Sequence, residues 1–187
     1  LREIKGNTLI GLQIEYSLAQ RTVEGELMPM AQQLGLGVTP WSPLRAGLLS
    51  GKITRNIWPP EATRMQKNSP YLTEKNFRII DELIAISEEV GASPAQVAIR
   101  WLMQKPGVVS PIIGARTVAQ LEDNVQAASI TLSTEQMARL DEVSSVTHAF
   151  PYDFVKAVKA NILGGTEVNG ESRPVWDLAP ANDAERF

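Results

Sequence analysis

A glycine and an arginine interrupt the segment SPIIGARTVAQLEDN, residues 110–124, where a predicted strand gives way to a predicted helix. Gly114 has no side chain to keep a ligand away from the backbone, and the first N–H groups of the following helix attract anions. Arg116 adds a planar guanidinium that suits phosphate. The alternative is that Gly114 only forms the turn, Arg116 is solvated, and Thr117 and Gln120 cap the helix.

A second segment, TPWSPLRAGLLSGK, residues 39–52, combines an aromatic ring, two glycines and two basic residues. Trp41, at the end of a predicted strand, is suited to stack on a planar ring. The loop that follows is suited to wrap a phosphate chain, with positive charge from Arg45 and Lys52. The alternative is a core tryptophan followed by an ordinary loop with basic residues.

A third segment, LQIEYS, residues 12–17, carries polar residues at alternate positions. Alternation along a strand puts Gln13 and Glu15 on one face and Ile14 and Tyr16 on the other. A buried polar side chain needs hydrogen-bond partners. Either Gln13 faces the amide of a ligand, or its neighbours in the sheet satisfy it.

Three apolar runs are typical of strands, and each is followed by a helix-like segment: residues 9–14, 37–41 and 108–113. Their near-continuous hydrophobicity predicts parallel strands buried on both faces. The alternation of strand and helix with short connections predicts an α/β fold of parallel βα units. In such folds ligands bind at the carboxyl ends of the strands, where the three polar segments lie.

Local signals predict where the helices begin and end. Thr22 is predicted to cap a helix that ends at Gly35, and apolar periodicity predicts another helix over residues 74–90. The connection 44–73 has no clean periodicity, and the tail after Phe150 is irregular. Capping boxes, each a Ser or Thr followed three residues later by Gln, are predicted at Ser93–Gln96, Thr117–Gln120 and Ser133–Gln136.

Composition narrows the classes of partner. The chain has 187 residues, a formal net charge of −3 and no cysteine. The charge argues against a nucleic-acid or anionic-membrane partner, and the absence of cysteine excludes disulfides and cysteine-based zinc sites. No apolar run approaches the roughly 20 residues that span a bilayer. We therefore expect a cytoplasmic protein with a small-molecule ligand, without a metal.

Together these segments resemble the aldo-keto reductase family, the NADP(H)-dependent TIM-barrel oxidoreductases. The matching stretches are LQIEYSLAQRTVEGELMPMAQQLGLGVTPWSPLRAGLLSGK (12–52), SPAQVAIRWLMQKPGVVSPIIGARTVAQLEDNVQA (93–127) and LSTEQMARLDEVS (132–144). The resemblance covers about residues 1–154. It implies the C-terminal half of a (β/α)8 barrel over 1–154, followed by an extension or tail over 155–187.

The resemblance also implies a site for NADP(H) and an aldehyde, ketone or alcohol substrate. Gln13 would bind the nicotinamide carboxamide, and Trp41 would stack on the nicotinamide ring. The pyrophosphate would be followed by Ser42, Pro43, Leu44, Arg45 and Ala46, with Lys52 reaching it from the end of the loop. The adenosine ribose and its 2′-phosphate would be held by Gly114, Arg116 and Gln120, with Asp123 and Asn124 at the adenine. Residues 48–71 would cover the cofactor.

The residues that do the chemistry in this family are an Asp, a Tyr, a Lys and a His from the first half of the barrel. No motif here matches that half, and the single histidine, His148, follows the last predicted helix. The resemblance therefore assigns no catalytic residue in this chain. Three predicted strands cannot close a barrel of eight. We therefore expect that the chain is a fragment of a reductase, that a partner supplies the missing N-terminal half, or that the chain forms a homo-oligomer.

Two other functions stay open. Some relatives with this loop pattern act as potassium-channel β-subunits, which would make the chain a non-catalytic nucleotide-binding or regulatory module. A Schiff-base aldolase would use Lys52 or Lys105, but it needs a lysine in mid-strand and neither lies on a predicted strand.

Overall fold

The computed structural model of the chain describes residues 3–4, 7–57, 65–66, 68–162, 167–168 and 171–172. It contains two compact units, Leu1–Val146 and Thr147–Phe187. Part of the predicted cofactor cover, residues 58–64 and 67, and the tail from residue 173 onward lie outside the described residues.

The first unit contains short strands and helices. In chain order its elements are β1 (Glu3–Ile4), β2 (Asn7–Thr8), β3 (Gly11–Glu15), a 3-10 helix (Thr22–Glu24), α1 (Leu27–Leu34), β4 (Gly37–Trp41), a 3-10 helix (Arg45–Ser50), α2 (Glu74–Val90), α3 (Pro94–Met103), α4 (Val118–Val125), a 3-10 helix (Gln126–Ser129) and α5 (Thr134–Val143). β1 and β2 form an antiparallel hairpin, whereas β3 and β4 pair in parallel with Gly11 opposite Gly37. One parallel βαβ arrangement is thus formed by β3, α1 and β4. The α/β prediction is confirmed.

The predicted third strand is not continuous. Residues 108–113 run beside β4, but only Val108 and Ile112 form parallel bridges, to Val38 and Trp41 respectively. The prediction of a regular strand over 108–113 is therefore wrong, although the segment lies where that strand was expected.

Two prolines explain the interruption. The backbone N–H of Val109 donates to the carbonyl of Val38 at 2.9 Å, so the next donor of a regular parallel ladder would be residue 111. Pro111 has no N–H, and the carbonyl of Pro40 is instead reached by Ile112 at 2.7 Å. The pairing shifts by one residue, and Pro40 itself cannot donate to the neighbouring segment.

Only one face of the sheet is covered by the described residues. Ile14 and Val38 are buried against the helices, while Gln13, Trp41 and Ile112 on the opposite face are exposed. The prediction that the strands are buried on both faces is wrong here, because α1, α2 and α3 pack on one side. The alternation predicted for residues 13–16 is confirmed.

Helices α2 and α3 supply a large part of the core. The predicted helix over 74–90 matches α2, and α3 begins at Pro94 with the capping box of Ser93 and Gln96; that of Ser133 and Gln136 is also present, at α5. The largest fully buried side chains that they contribute are Ile79, Ile80, Leu83, Ile86, Trp101 and Leu102.

Helix α1 begins later than predicted. Thr22 starts only a short 3-10 turn, and the α-helix runs from Leu27 until Gly35, which adopts a left-handed conformation. Gly25 is a poor helix former, and Pro29 has no N–H and fits only the first turn of a helix. The predicted cap at Thr22 is therefore wrong, and the predicted end is right.

A buried polar cluster ties α5 to the segment after β3. Arg21 bonds both carboxylate oxygens of Glu24 at 2.9 Å and reaches Ser144 Oγ at 2.6 Å and the Asp141 carbonyl at 2.8 Å. The Tyr16 hydroxyl donates to Glu24 at 2.5 Å. Burial, with Glu24 beside it, raises the pKa of Tyr16 well above its usual range.

The second unit contains one helix that sequence reasoning missed. Helix α6 spans Tyr152–Ile162, and β5 (Glu167–Val168) pairs with β6 (Glu171–Ser172) in a short antiparallel hairpin. The sequence YDFVKAVKANI has apolar residues at helical spacing and alanines that favour a helix. The interpretation of the whole tail as irregular is therefore wrong. Of the helices that the structure describes, none is both long and apolar enough to cross a bilayer.

Candidate cofactor-binding site

A cavity of about 560 Å³ opens where β4, the loop after it and the start of α4 meet. Such a volume is typical of small-molecule sites. Most of the predicted site residues line it: Trp41, Ser42, Pro43, Leu44, Ala46, Lys52, Gly114, Arg116, Gln120, Asp123 and Asn124. The segments 39–52 and 110–124 therefore line the cavity, whereas no residue of the segment 12–17 does.

Trp41 forms one wall of the cavity. It ends β4 on the uncovered face of the sheet, where 42% of its surface is accessible, and it forms a bridge with Ile112. It is therefore not a core tryptophan. An indole in this position can stack on a planar ring that enters the cavity.

The loop after Trp41 has a strained backbone. Ser42, Arg45 and Ala46 have φ values of 57°, 46° and 55°, in the left-handed region that residues with a Cβ avoid. Such conformations cost on the order of 1–3 kcal/mol each and persist only where the surroundings enforce them. Leu48 and Leu49, both fully buried, anchor the loop to the core.

The turn into α4 forms another part of the cavity wall. Gly114 is exposed, and no described atom lies within 4 Å of the position a Cβ would take. Thr117 caps α4 by accepting from the N–H of Gln120 at 3.2 Å, whereas the Gln120 side chain accepts from the N–H of Arg116 at 2.9 Å. The predicted Thr117–Gln120 capping box is thus only half formed. Its consequence is that Gln120 fixes the Arg116 backbone at the mouth of the cavity.

Helix α4 turns its polar side towards the cavity. Asn124 is buried, while Val118, Leu121 and Val125 form an exposed apolar stripe with Val118 accessible over 71% of its surface. The Asp123 carboxylate accepts from Ser93 Oγ at 3.1 Å and Gln96 Nε2 at 2.8 Å.

These bonds fix α4 to the beginning of α3, so Asp123 has a structural role in addition to lining the cavity. The same contact explains why α4 presents a polar rather than an apolar side to the protein.

Gln13 and Arg45 do not line this cavity. Gln13 is exposed on the uncovered face of β3. Arg45 points away and forms an ion pair with Glu15, while its guanidinium carbon lies 4.2 Å from the centre of the Tyr71 ring. Its Nε is buried without a hydrogen-bond partner among the described residues.

Three lining residues, Ser50, Ile53 and Met65, belong to the segment 48–71 that is predicted to cover the cofactor. The lining residues that sequence reasoning did not predict are Gly47, Ala95, Ile112, Ile113 and Ala115. Ala95, at the start of α3, carries no local signal of a binding role, because only folding brings it beside the loop. Ser50 is adjacent to Gly51, which approaches Pro94 closely.

The donor set suits an anionic ligand with a planar part. Lys52 and Arg116 bring two cationic groups to the cavity that the indole of Trp41 also lines, and the Gly114 backbone is open to a close approach. These features fit a dinucleotide, whose phosphates suit the two cations and whose planar rings suit the indole. The described residues contain no cluster of three His, Cys, Asp or Glu that could hold a metal ion.

Comparison with known proteins agrees with this reasoning. A sequence model described as the aldo/keto reductase family matches residues 3–145, most of the chain. The chain belongs to the aldo/keto reductase family. The resemblance to this family that the loop after β4 and the turn into α4 indicate is therefore confirmed.

Aldo/keto reductase relatives can be aligned over much of the chain. An uncharacterized oxidoreductase, YrpG, of Bacillus subtilis is 39% identical over 135 residues, 72% of this chain and 40% of that protein. An L-glyceraldehyde 3-phosphate reductase of Escherichia coli O157:H7 is 36% identical over 140 residues, 70% of this chain and 40% of that protein.

A putative voltage-gated potassium channel subunit beta of Schizosaccharomyces pombe is 34% identical over 134 residues, 66% of this chain and 38% of that protein. The chain spans less than half the length of these aldo/keto reductase relatives.

Proposed function

We propose that this chain is the cofactor-binding part of an NADP(H)-dependent aldo-keto reductase with a (β/α)8 barrel. The observation that supports this most strongly is the convergence of Trp41, Lys52, Gly114 and Arg116 on one cavity. When bound, NADPH would supply the hydride that a carbonyl substrate accepts, and in the reverse direction NADP+ would accept the hydride that an alcohol donates. Trp41 would hold the nicotinamide ring, and Arg116 would hold the 2′-phosphate. The pyrophosphate would be held by Lys52 and by the loop residues that line the cavity, Ser42, Pro43, Leu44 and Ala46.

We assign no residue of this chain to proton transfer in that reaction. The uncovered face of the sheet and the apolar stripe on α4 support the proposal that a further part of the barrel packs there, from a longer polypeptide or from a partner. The small carbonyl substrate would then meet the nicotinamide between the two parts. A cytoplasmic location remains part of this proposal.

NADPH titration followed by protein fluorescence tests the proposal, with intact mass measured on the same material. We expect NADPH to quench the fluorescence of Trp41, and the Arg116→Met variant to weaken NADPH binding more than NADH binding. Lys52→Met should weaken both. A wild-type protein whose fluorescence does not respond to NADPH would contradict the proposed function. Equal losses of affinity for NADPH and NADH in Arg116→Met would contradict the preference for NADP over NAD.

A second candidate is a regulatory nucleotide-binding module. The identity with a protein named as a putative channel β-subunit favours it, and binding without turnover of a carbonyl compound by the full-length protein would support it. The aldolase alternative receives no support, because Lys105 is paired with Asp141 at 2.5 Å and lies after α3, and Lys52 follows a 3-10 helix rather than a strand.

A further inference from the structure

The side chain of Arg45 contacts two groups from different parts of the chain, the Glu15 carboxylate and the Tyr71 ring. Its guanidinium forms an ion pair with Glu15 at the carboxyl end of β3 and lies over the ring of Tyr71, 4.2 Å from the ring centre. Tyr71 belongs to the segment that leads into α2, and its carbonyl accepts from Asn76 Nδ2 at 2.7 Å. One side chain therefore connects the loop after β4 to two elements that are fixed independently of it.

The loop needs such a connection. Ser42, Arg45 and Ala46 hold left-handed conformations that a free loop would leave, and the turn bonds within it, from Arg45 N–H to the Ser42 carbonyl and from Gly47 N–H to the Leu44 carbonyl, are each 3.0 Å long. The left-handed Arg45 backbone directs its side chain to Glu15, while the neighbouring Leu44 and Ala46 line the cavity.

Glu15 is also the residue opposite Trp41 in the parallel ladder. A carboxylate beside an anion-binding cavity repels phosphate unless a cation compensates it. Arg45 supplies that cation from the loop itself, so the same ion pair neutralises Glu15 and holds the loop in place.

We propose that Arg45 is a positioning residue, which clamps the loop over the cavity through Glu15 and Tyr71 and thereby slows the release of the bound dinucleotide. The inference rests on the proposed function for its cofactor, and it assigns to Arg45 a role different from direct contact with the pyrophosphate. The two roles predict opposite effects of removing Glu15. If Arg45 clamps the loop, neutralising Glu15 weakens the clamp and speeds the release of the dinucleotide. If Arg45 instead binds phosphate, neutralising Glu15 removes a competing anion, and the dinucleotide binds more tightly.

The experiment compares Glu15→Gln, Arg45→Met and Tyr71→Leu, with NADPH release followed by stopped-flow fluorescence. Tyr71→Phe keeps the ring face and serves as the conservative variant. Arg139→Met is the matched control, because Arg139 in α5 also pairs with two carboxylates, Glu82 and Glu89, and none of the three lines the cavity. A second readout, hydrogen exchange of the amides of residues 46–50 without any ligand, measures the loop directly.

We expect Glu15→Gln and Arg45→Met to release NADPH roughly tenfold faster or more, since the loss of a closing contact acts mainly on dissociation. Tyr71→Leu should have a smaller effect in the same direction, and the loop amides should exchange faster in all three. Tyr71→Phe and Arg139→Met should match the wild type in both measurements.

Slower release or tighter binding in Glu15→Gln would overturn the clamp in favour of a phosphate ligand. Unchanged exchange of the loop amides in both Glu15→Gln and Arg45→Met would overturn it as well. A wild type that does not bind NADPH refutes the proposed function, and the exchange measurement then decides separately whether Arg45 holds the loop.

Discussion

Gly51→Ala should destabilise the protein strongly, because Gly51 meets two constraints at once. Its φ of +76° lies in the left-handed region, and an added Cβ would lie 2.6 Å from Cγ and 3.0 Å from Cβ of Pro94. Real carbon atoms do not approach so closely without displacement. Neither constraint can be relieved by a rotating side chain, since Pro94 is a ring at the first position of α3.

The magnitude follows from the two contributions. A left-handed conformation costs an L-residue roughly 1–2 kcal/mol, and an extra methyl forced into a packed contact costs roughly 1–3 kcal/mol. The free energy of unfolding should therefore fall by about 2–5 kcal/mol, a large part of the roughly 5–15 kcal/mol typical of a domain. At about 2–4 °C for each kcal/mol, the melting temperature should drop by about 4–20 °C.

Urea unfolding followed by far-ultraviolet circular dichroism measures this change. Pro94→Ala in the Gly51→Ala background should recover part of the loss, because it removes the ring that the new methyl meets and leaves the backbone strain. Gly114→Ala is the matched control, since Gly114 has no positive φ and no described atom within 4 Å of its Cβ position. A Gly51→Ala protein whose free energy of unfolding lies within about 0.5 kcal/mol of the wild type would show that neither constraint acts at Gly51.

Three further predictions concern the same unit. Gly114→Ala should keep its stability yet weaken NADPH binding, because the ligand is what the new methyl would meet; unchanged affinity in a fluorescence titration would argue against a close approach there. Because the pKa of Tyr16 is raised on folding, the free energy of unfolding should fall as pH rises above about 10, and Tyr16→Phe should flatten that fall in pH-dependent urea melts; parallel curves would contradict it. Ser93→Ala should cost about 1 kcal/mol of stability through the lost cap, and it should weaken NADPH binding by loosening Asp123; an unchanged urea midpoint would contradict the capping role.

Local rules predicted those features whose partners are near in sequence. The capping boxes at Ser93 and Ser133 and the ends of α2 depend on hydrogen bonds between residues three or four apart, so their signals are complete within a few positions. The interrupted pairing of residues 108–113 could also be derived in part, because Pro40 and Pro111 have no backbone N–H to donate. The register at which those prolines meet, however, is set by pairing across about seventy positions.

The orientation of α4 shows where periodicity fails. Its apolar stripe predicts a side turned to the core, but Val118 is exposed and Asn124 is buried. The bonds from Ser93 and Gln96 to Asp123, about thirty residues away, select the polar side instead. Helix propensity determines whether a helix forms, whereas tertiary contacts determine which face of the helix is buried.

The α/β class, the family and the loop and turn that line the cavity follow from the sequence alone, because they depend on local hydrogen bonding and on motifs with fixed spacing. The partner of Arg45, in contrast, appears only in the folded chain. A guanidinium on a basic loop suits phosphate in any sequence, but the fold brings Arg45 to Glu15, thirty residues earlier, and the two form an ion pair. Long-range electrostatic pairing cannot be derived from spacing along the chain, since it depends on distances that exist only after folding.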